Sequence, residues 1–161
     1  MKSSKGFSLL ETMVVIGLIG ILTAIAIPQL IIYRNNAKFR DAVSMIQADF
    51  EKARSRAVRE NAHVAVEINT NTNTNAYKIC IDNGFGGGTA NNRTCDGNEK
   101  ILCDASLPAG IKISQTTFTG NKTGFNGRGY IINNGYLTVV DSSVRSAKID
   151  MTNRFGRITI Q

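Results

Sequence analysis

Histidine is nearly absent from this chain of 161 residues, tryptophan is missing altogether, and proline occurs only twice. The one histidine, His63, stands just after a long helical pattern and opens a strand-like run. A triad built on histidine has only this residue to use, and no Gly-x-Ser-x-Gly turn accompanies it, so catalysis is not expected. The "GFGGG" at 84–88 is followed by no Gly-Lys-Ser/Thr; it reads as flexible loop, not as a phosphate cradle. No Cys-x-x-Cys or Cys/His spacing suggests zinc. Asp82, Asp96, Asn98 and Glu99 supply oxygen donors near that loop, but their spacing is not that of an EF-hand, and no metal or other cofactor is assigned.

What the chain does have is one long apolar run near its start. From Met13 to Ile27 the only polar side chain is Thr23, and the apolar character reaches back through Leu10, Leu9 and Phe7. As helix, residues 7–27 cover roughly 30 Å, the thickness of a bilayer core. Lys2 and Lys5 precede the run, which leaves the leader on the cytoplasmic side and sends the rest outward. A cleaved secretory signal is the competing reading. The run is long for one, and no clear small-x-small site follows it, so an anchor fits better. Neither reading explains Glu11, because a carboxylate in such a segment is costly and marks function.

The stretch Lys5-Gly6-Phe7-Ser8-Leu9-Leu10-Glu11, followed by the apolar run, resembles the leader of type IV pilins and of type II secretion pseudopilins. The resemblance implies cleavage between Gly6 and Phe7 by a prepilin peptidase, N-methylation of Phe7, and retention of the apolar segment. Residues 1–6 are then the leader, 7–30 a transmembrane and filament-core helix, and 31–161 a periplasmic domain. In a filament the Glu11 carboxylate would meet the Phe7 amine of a neighbouring subunit. A lone buried charge is heavily penalised, whereas a paired one is tolerated and fixes register.

Pro28 interrupts the helical pattern and should kink it. Beyond it, Phe39, Val43, Ile46, Phe50, Ala53 and Ala57 recur at steps of three and four, one apolar face of an amphipathic helix reaching about residue 61. Arg34, Lys38, Arg40, Lys52, Arg54, Arg56 and Arg59 form a solvated opposite face. The period then changes to two. Strands are expected at 63–68, 76–81, 100–103, 111–114, 129–132, 136–140, 147–151 and 157–160, with "NNGY" at 133–136 as a hairpin turn. Helix first and strands afterwards indicate α+β, with an antiparallel sheet packed on the helix's C-terminal half. This is the type IV pilin-like fold that the leader implies.

"FNGRGYIINNGYLTVV" and "RFGRITIQ" resemble the GspH/FimT-type pseudopilins and minor pilins. That resemblance implies a structural subunit of a type II secretion pseudopilus or a type IV pilus, with other subunits, the peptidase and the inner membrane as partners. The alternative is a DNA receptor for natural transformation. Between residues 105 and 161 there are seven basic and two acidic residues, a local balance of +5. Arg128, Arg154 and Arg157 lie in or beside expected turns, where phosphates are within reach. Some members bind DNA through Gly-Arg-x-Arg; this chain reads Gly156-Arg157-Ile158-Thr159, without the second arginine, and has no aromatic platform for bases. Three cysteines fall in the part expected outside the inner membrane, where disulfides persist. Cys95, in the loop, should be paired with Cys80, with Cys103 the alternative.

Overall fold

The first helix, α1, runs from Leu9 to Glu60, 52 residues. It belongs to a computed structural model that describes residues 8–143, 145–152 and 159–160. Gly6 and Phe7 lie outside the described residues, as do Arg154 and Arg157. The Ser8 carbonyl accepts the first helical bond, from the Thr12 N–H at 3.2 Å. Pro28 sits inside the helix and has no N–H to give, yet helical residues continue on both sides of it. The helix stops at Asn61, whose φ of 47° is left-handed. There the Ala62 N–H reaches the Ala57 carbonyl at 3.1 Å and the Asn61 N–H reaches Val58 at 3.3 Å, the paired bonds of a Schellman cap.

The chain divides into two compact units, one up to Lys38 and one from Phe39 onward. In the first, every residue from 8 to 35 is exposed. This part of α1 is long and apolar enough to cross a membrane. In the second, α1 buries Phe39, Ala42, Val43, Ile46, Phe50, Ala53 and Ala57. These positions form one face at helical period, the expected stripe with Ala42 added.

Eight strands follow: β1 (Val64–Ile68), β2 (Tyr77–Ile81), β3 (Ile101–Ala105), β4 (Ile111–Thr116), β5 (Lys122–Phe125), β6 (Gly135–Asp141), β7 (Ser146–Met151) and β8 (Thr159–Ile160). One antiparallel sheet was expected; they form two, ordered β3-β2-β1-β5 and β4-β6-β7-β8. Val64, Val66 and Ile68 of the first join Ile113, Leu137, Val139 and Ile149 of the second in one core with the α1 stripe.

The sequence reading fails between residues 122 and 135. The strand expected at 129–132 does not form: Ile131 makes only an isolated bridge to Phe125, and the strand is instead β5, at 122–125. Nor is "NNGY" a hairpin turn. None of Asn133, Asn134 and Gly135 has the positive φ such a turn requires, and this segment carries the chain from one sheet to the other. Asn133 fixes the crossing: its Nδ2 donates to the Lys122 carbonyl at 2.8 Å and its own carbonyl accepts from Thr123 Oγ1 at 2.8 Å.

Because the buried core begins at Phe39, a fragment starting at Tyr33 is expected to fold as a monomer with one cooperative thermal transition. Circular dichroism and ultracentrifugation check this; aggregation or a gradual melt would show that the core needs the earlier helix.

Candidate functional site

Apolar side chains crowd the surface of α1 before the core begins. Leu9 is 78% exposed, Ile16 65%, Ile25 67% and Ile31 54%. Free apolar surface of this extent marks contact with a membrane or with other chains. Glu11 lies in the first turn of the same helix and is itself exposed, where a carboxylate also suits the positive end of the helix dipole. Thr23 turns its hydroxyl back to the Ile19 carbonyl at 2.9 Å, which satisfies the one polar side chain of the apolar run.

In the second unit, a polar network is set into the seam between α1 and the first sheet. Asp49 stands at stripe spacing, three residues after Ile46 and four before Ala53. Its Oδ2 accepts from the Tyr77 hydroxyl at 2.8 Å and from Cys103 Sγ at 3.6 Å, and its Oδ1 accepts from Lys52 at 2.9 Å. Tyr77 is fully buried, so this bond satisfies a hydroxyl that otherwise has no water. Burial, and then the bond to Asp49, raises the phenol's pKa. Burial also pushes the Cys103 thiol up to about 11; the charge and hydrogen bond of Asp49 add to this, and Lys52 opposes it. The thiol is therefore protonated and weakly nucleophilic at neutral pH. Sequence reasoning missed this network. Its signal was a carboxylate at a stripe position.

The same geometry settles which cysteine holds Cys95. Cys103 lies opposite Ile79 in the β2–β3 ladder and faces α1, whereas Cys80, one residue along, faces the other side of the sheet. A disulfide joins Cys80 to Cys95 with a Cα–Cα distance of 5.7 Å, and Cys103 remains a thiol. The loop this bond tethers lies over that other face, where Ala65 and Cys80, opposite one another in register, are buried. Lys122 adds a second tie through Thr94 Oγ1 at 2.8 Å.

The oxygen donors of that loop have other work. Glu99 Oε1 accepts the Gly84 N–H at 2.8 Å, Asp82 Oδ2 accepts the Arg93 N–H at 2.7 Å, and Asp96 Oδ1 accepts the Thr89 N–H at 3.1 Å. The loop is thus held by its carboxylates as well as by the disulfide, which its composition alone had not suggested. A side chain at Gly88 would stand 2.3 Å from Asp96 Oδ1, so the glycine is needed where the two arms of the loop cross. Asn98 joins the arms through its N–H to the Phe85 carbonyl at 3.1 Å. Among the described residues no group of acidic, histidine and cysteine side chains is arranged to hold a metal. His63 serves through its backbone, accepting the Asp82 N–H at 2.9 Å.

The Asn-Gly-Arg-Gly turn is a strap against the end of α1. Asn126 Oδ1 accepts the N–H groups of Arg128 and Tyr130, each at 3.0 Å, and Arg54 Nε donates to the Gly129 carbonyl at 3.2 Å. Gly129 has φ +76°, and a Cβ there would stand 2.9 Å from Val58. Arg128 is presented to solvent between the two glycines. Since Arg154 and Arg157 lie outside the described residues, the three arginines are not seen together.

Residues 42–153 match the family model of type II transport protein GspH, and residues 1–27 match the prokaryotic N-terminal methylation motif. Two relatives from Pseudomonas aeruginosa, each a "Fimbrial protein", are 42% identical over 64 residues, 40% of this chain. The chain spans 41% of the length of these curated relatives. The crystal structure of the type IV minor pilin FimU of Pseudomonas aeruginosa PAO1 superposes with a TM-score of 0.54 at 12% identity, covering 80% of this chain and 92% of that one. At that identity the likeness is one of fold: a long N-terminal helix with antiparallel sheets, the type IV pilin arrangement.

Two results are expected at Asp49. Asp49→Ala should lower stability by about 1–3 kcal/mol, since it strands the buried Tyr77 hydroxyl, and should speed alkylation of Cys103 by iodoacetamide at pH 8. Wild-type stability should fall as pH rises from about 9 through about 11, because in that window the folded thiol keeps a proton that the unfolded thiol has lost. Thermal melts across this range should show a shallower decline for Cys103→Ala; an unchanged slope would place the thiol outside the network.

Proposed function

The chain belongs to the GspH family of type II transport proteins, and from that premise we propose that it is a non-enzymatic pilin-like subunit of a type II secretion pseudopilus or a type IV pilus. In this reading the prepilin peptidase cuts between Gly6 and Phe7, and the new amine on Phe7 is methylated. Residues 7–30 hold the subunit in the inner membrane, 31–161 fold on the periplasmic side, and Pro28 kinks the helix near the end of the first span. The subunit then leaves the bilayer for a filament whose centre is a bundle of such helices.

One observation carries this reading: α1 is exposed and apolar from residue 9 to residue 33, yet the same helix supplies the domain's buried stripe from Phe39 to Ala57. A secretory signal has no reason to continue as a core element, and a plain anchor has no reason to place Glu11 among apolar neighbours. A filament subunit accounts for both: its helix joins the central bundle to the folded domain, and Glu11 meets the Phe7 amine of a neighbour. The contact is heterologous, head to tail, as an open helical assembly requires.

Uptake of DNA is the second reading, favoured by Arg128 standing exposed on a turn that is itself braced against α1. If that reading holds, Arg128→Gln weakens binding of duplex DNA of any sequence and lowers its salt dependence by about one counterion.

Mass spectrometry of membrane-extracted protein is expected to show loss of residues 1–6 and one added methyl. An intact N-terminus in a host with the peptidase would defeat the family mechanism here. Glu11→Gln should leave insertion and processing nearly intact and strongly reduce incorporation into purified filaments, since an unpaired ammonium among apolar helices costs several kcal/mol. Incorporation equal to wild type would make Glu11 only an interfacial carboxylate.

A further inference from the structure

β3 is an open edge of the first sheet, and beside it lies a groove of about 510 Å³. The floor is apolar, from Ile79 and Leu102, and the α1 wall carries Lys52, Arg56 and Arg59. These three cations stand at i, i+4 and i+7, one row spanning about 10 Å of helix axis. Asp49 is the one carboxylate among the lining residues. Lys52 pairs with it and Arg56 pairs with Glu60, whereas Arg59 makes no ion pair among the described residues. A cation in the last turn also suits the helix dipole, which accounts for Arg59 but not for the row.

On its β2 side, β3 pairs from Ile101 to Ala105 with one register shift that leaves Leu102 without a ladder partner. The flanking bonds are Ala105 accepting from Ala76 at 2.7 Å and Lys100 from Ile81 at 3.0 Å. On its outer side, no backbone group of another described segment pairs with it. Ile101, at the start of the strand, is 52% exposed. An unpaired strand edge is a template for another strand, and native proteins usually blunt it. Here the blunting is the register shift at Leu102 together with Asp104, which is exposed on the face away from α1, opposite Lys78; from Cys103 to Ala105 the ladder is regular.

We propose that this groove receives an extended, acidic segment of a partner protein, which adds to the first sheet alongside β3 and turns its carboxylates toward Lys52, Arg56 and Arg59. Backbone pairing supplies affinity that is indifferent to sequence, and the row of cations supplies selectivity. Asp104 sets the facing, because it repels carboxylates placed on the other side of the added strand. Duplex DNA fits less well: it has no use for the free backbone groups of β3, and the floor of the groove is apolar. The proposal goes beyond the assembly reading. It concerns a single subunit, so its failure leaves leader processing and the pairing of Glu11 untouched.

The test uses the full chain in detergent micelles and a fluorescent eight-residue peptide alternating Glu and Thr, followed by anisotropy. Binding is expected to weaken about tenfold or more when the peptide's Glu residues become Gln, and equally in the protein variant Arg56→Gln/Arg59→Gln. It should be lost when two adjacent central residues of the peptide both become Pro, because one of the two must turn its nitrogen toward β3 and has no N–H to donate. The double variant should melt as wild type does, since both arginines lie at the surface. Absence of peptide binding would overturn the proposal, as would binding indifferent to the Gln peptide, the Pro peptide or the double variant. A 12-base-pair duplex that displaces the peptide and binds more tightly through the same arginines would assign the groove to nucleic acid instead.

Discussion

The packing of one helical stripe, Phe39 to Ala57, into the core it shares with two antiparallel sheets is the interaction on which the rest of this molecule depends. Phe50 and Ile46 are fully buried in it, and Tyr77 meets Phe50 edge to face with ring centroids 5.8 Å apart. Burial of large side chains of this kind contributes about 1.5–3 kcal/mol each. Because the domain's core includes one stretch of α1, the stretch before it is tied to a folded body by the same continuous backbone. That earlier stretch is apolar and uncovered, so it must be covered by something other than this chain's own domain. A bilayer and a bundle of like helices both meet that need, and a subunit that moves from one to the other needs nothing new in its own fold.

The polar groups at the borders of this core are arranged by the same logic. Asp49 takes a stripe position, and its cost is offset because Tyr77, Cys103 and Lys52 all donate to it. At another border, Arg145 stands over the Phe39 ring, 5.6 Å from its centroid, and pairs with Asp141. Burial would raise the Asp141 carboxyl, but hydrogen bonds from Arg145 and Ser143 outweigh it and hold the carboxyl below its usual range. The turn between β6 and β7 is thereby joined to the helix at the residue where the core begins.

Much of this was legible from residue spacing. The stripe Phe39, Val43, Ile46, Phe50, Ala53, Ala57 follows from period alone, and the end of the helix near Asn61 follows from the change to period two. The N-terminal methylation motif was legible because a basic start, Gly before Phe, and Glu at the fifth place counted from Phe7 form a dense local signal. The two-sheet arrangement was not legible, because each strand alternates in the same way whichever sheet it joins. Asn-Asn-Gly between apolar runs reads as a hairpin turn by propensity; tertiary bonds from Asn133 to β5 override that propensity. β5 itself, Lys-Thr-Gly-Phe, is short and carries a glycine, and it is a strand because β1 offers a partner from Val64 to Glu67. The role of Asp49 was hidden because its partners Tyr77 and Cys103 are distant in sequence.

The most direct measurement is zero-length carbodiimide cross-linking of purified filaments, followed by mass spectrometry of the N-terminal peptides. If the exposed half of α1 is covered by like helices in register, an amide should join the Glu11 carboxylate of one subunit to the Phe7 amine of another. It should be absent from the protein dispersed in detergent. Filaments that contain the protein, with Glu11 modified by reagent and water but never joined to a neighbour's amine, would contradict it.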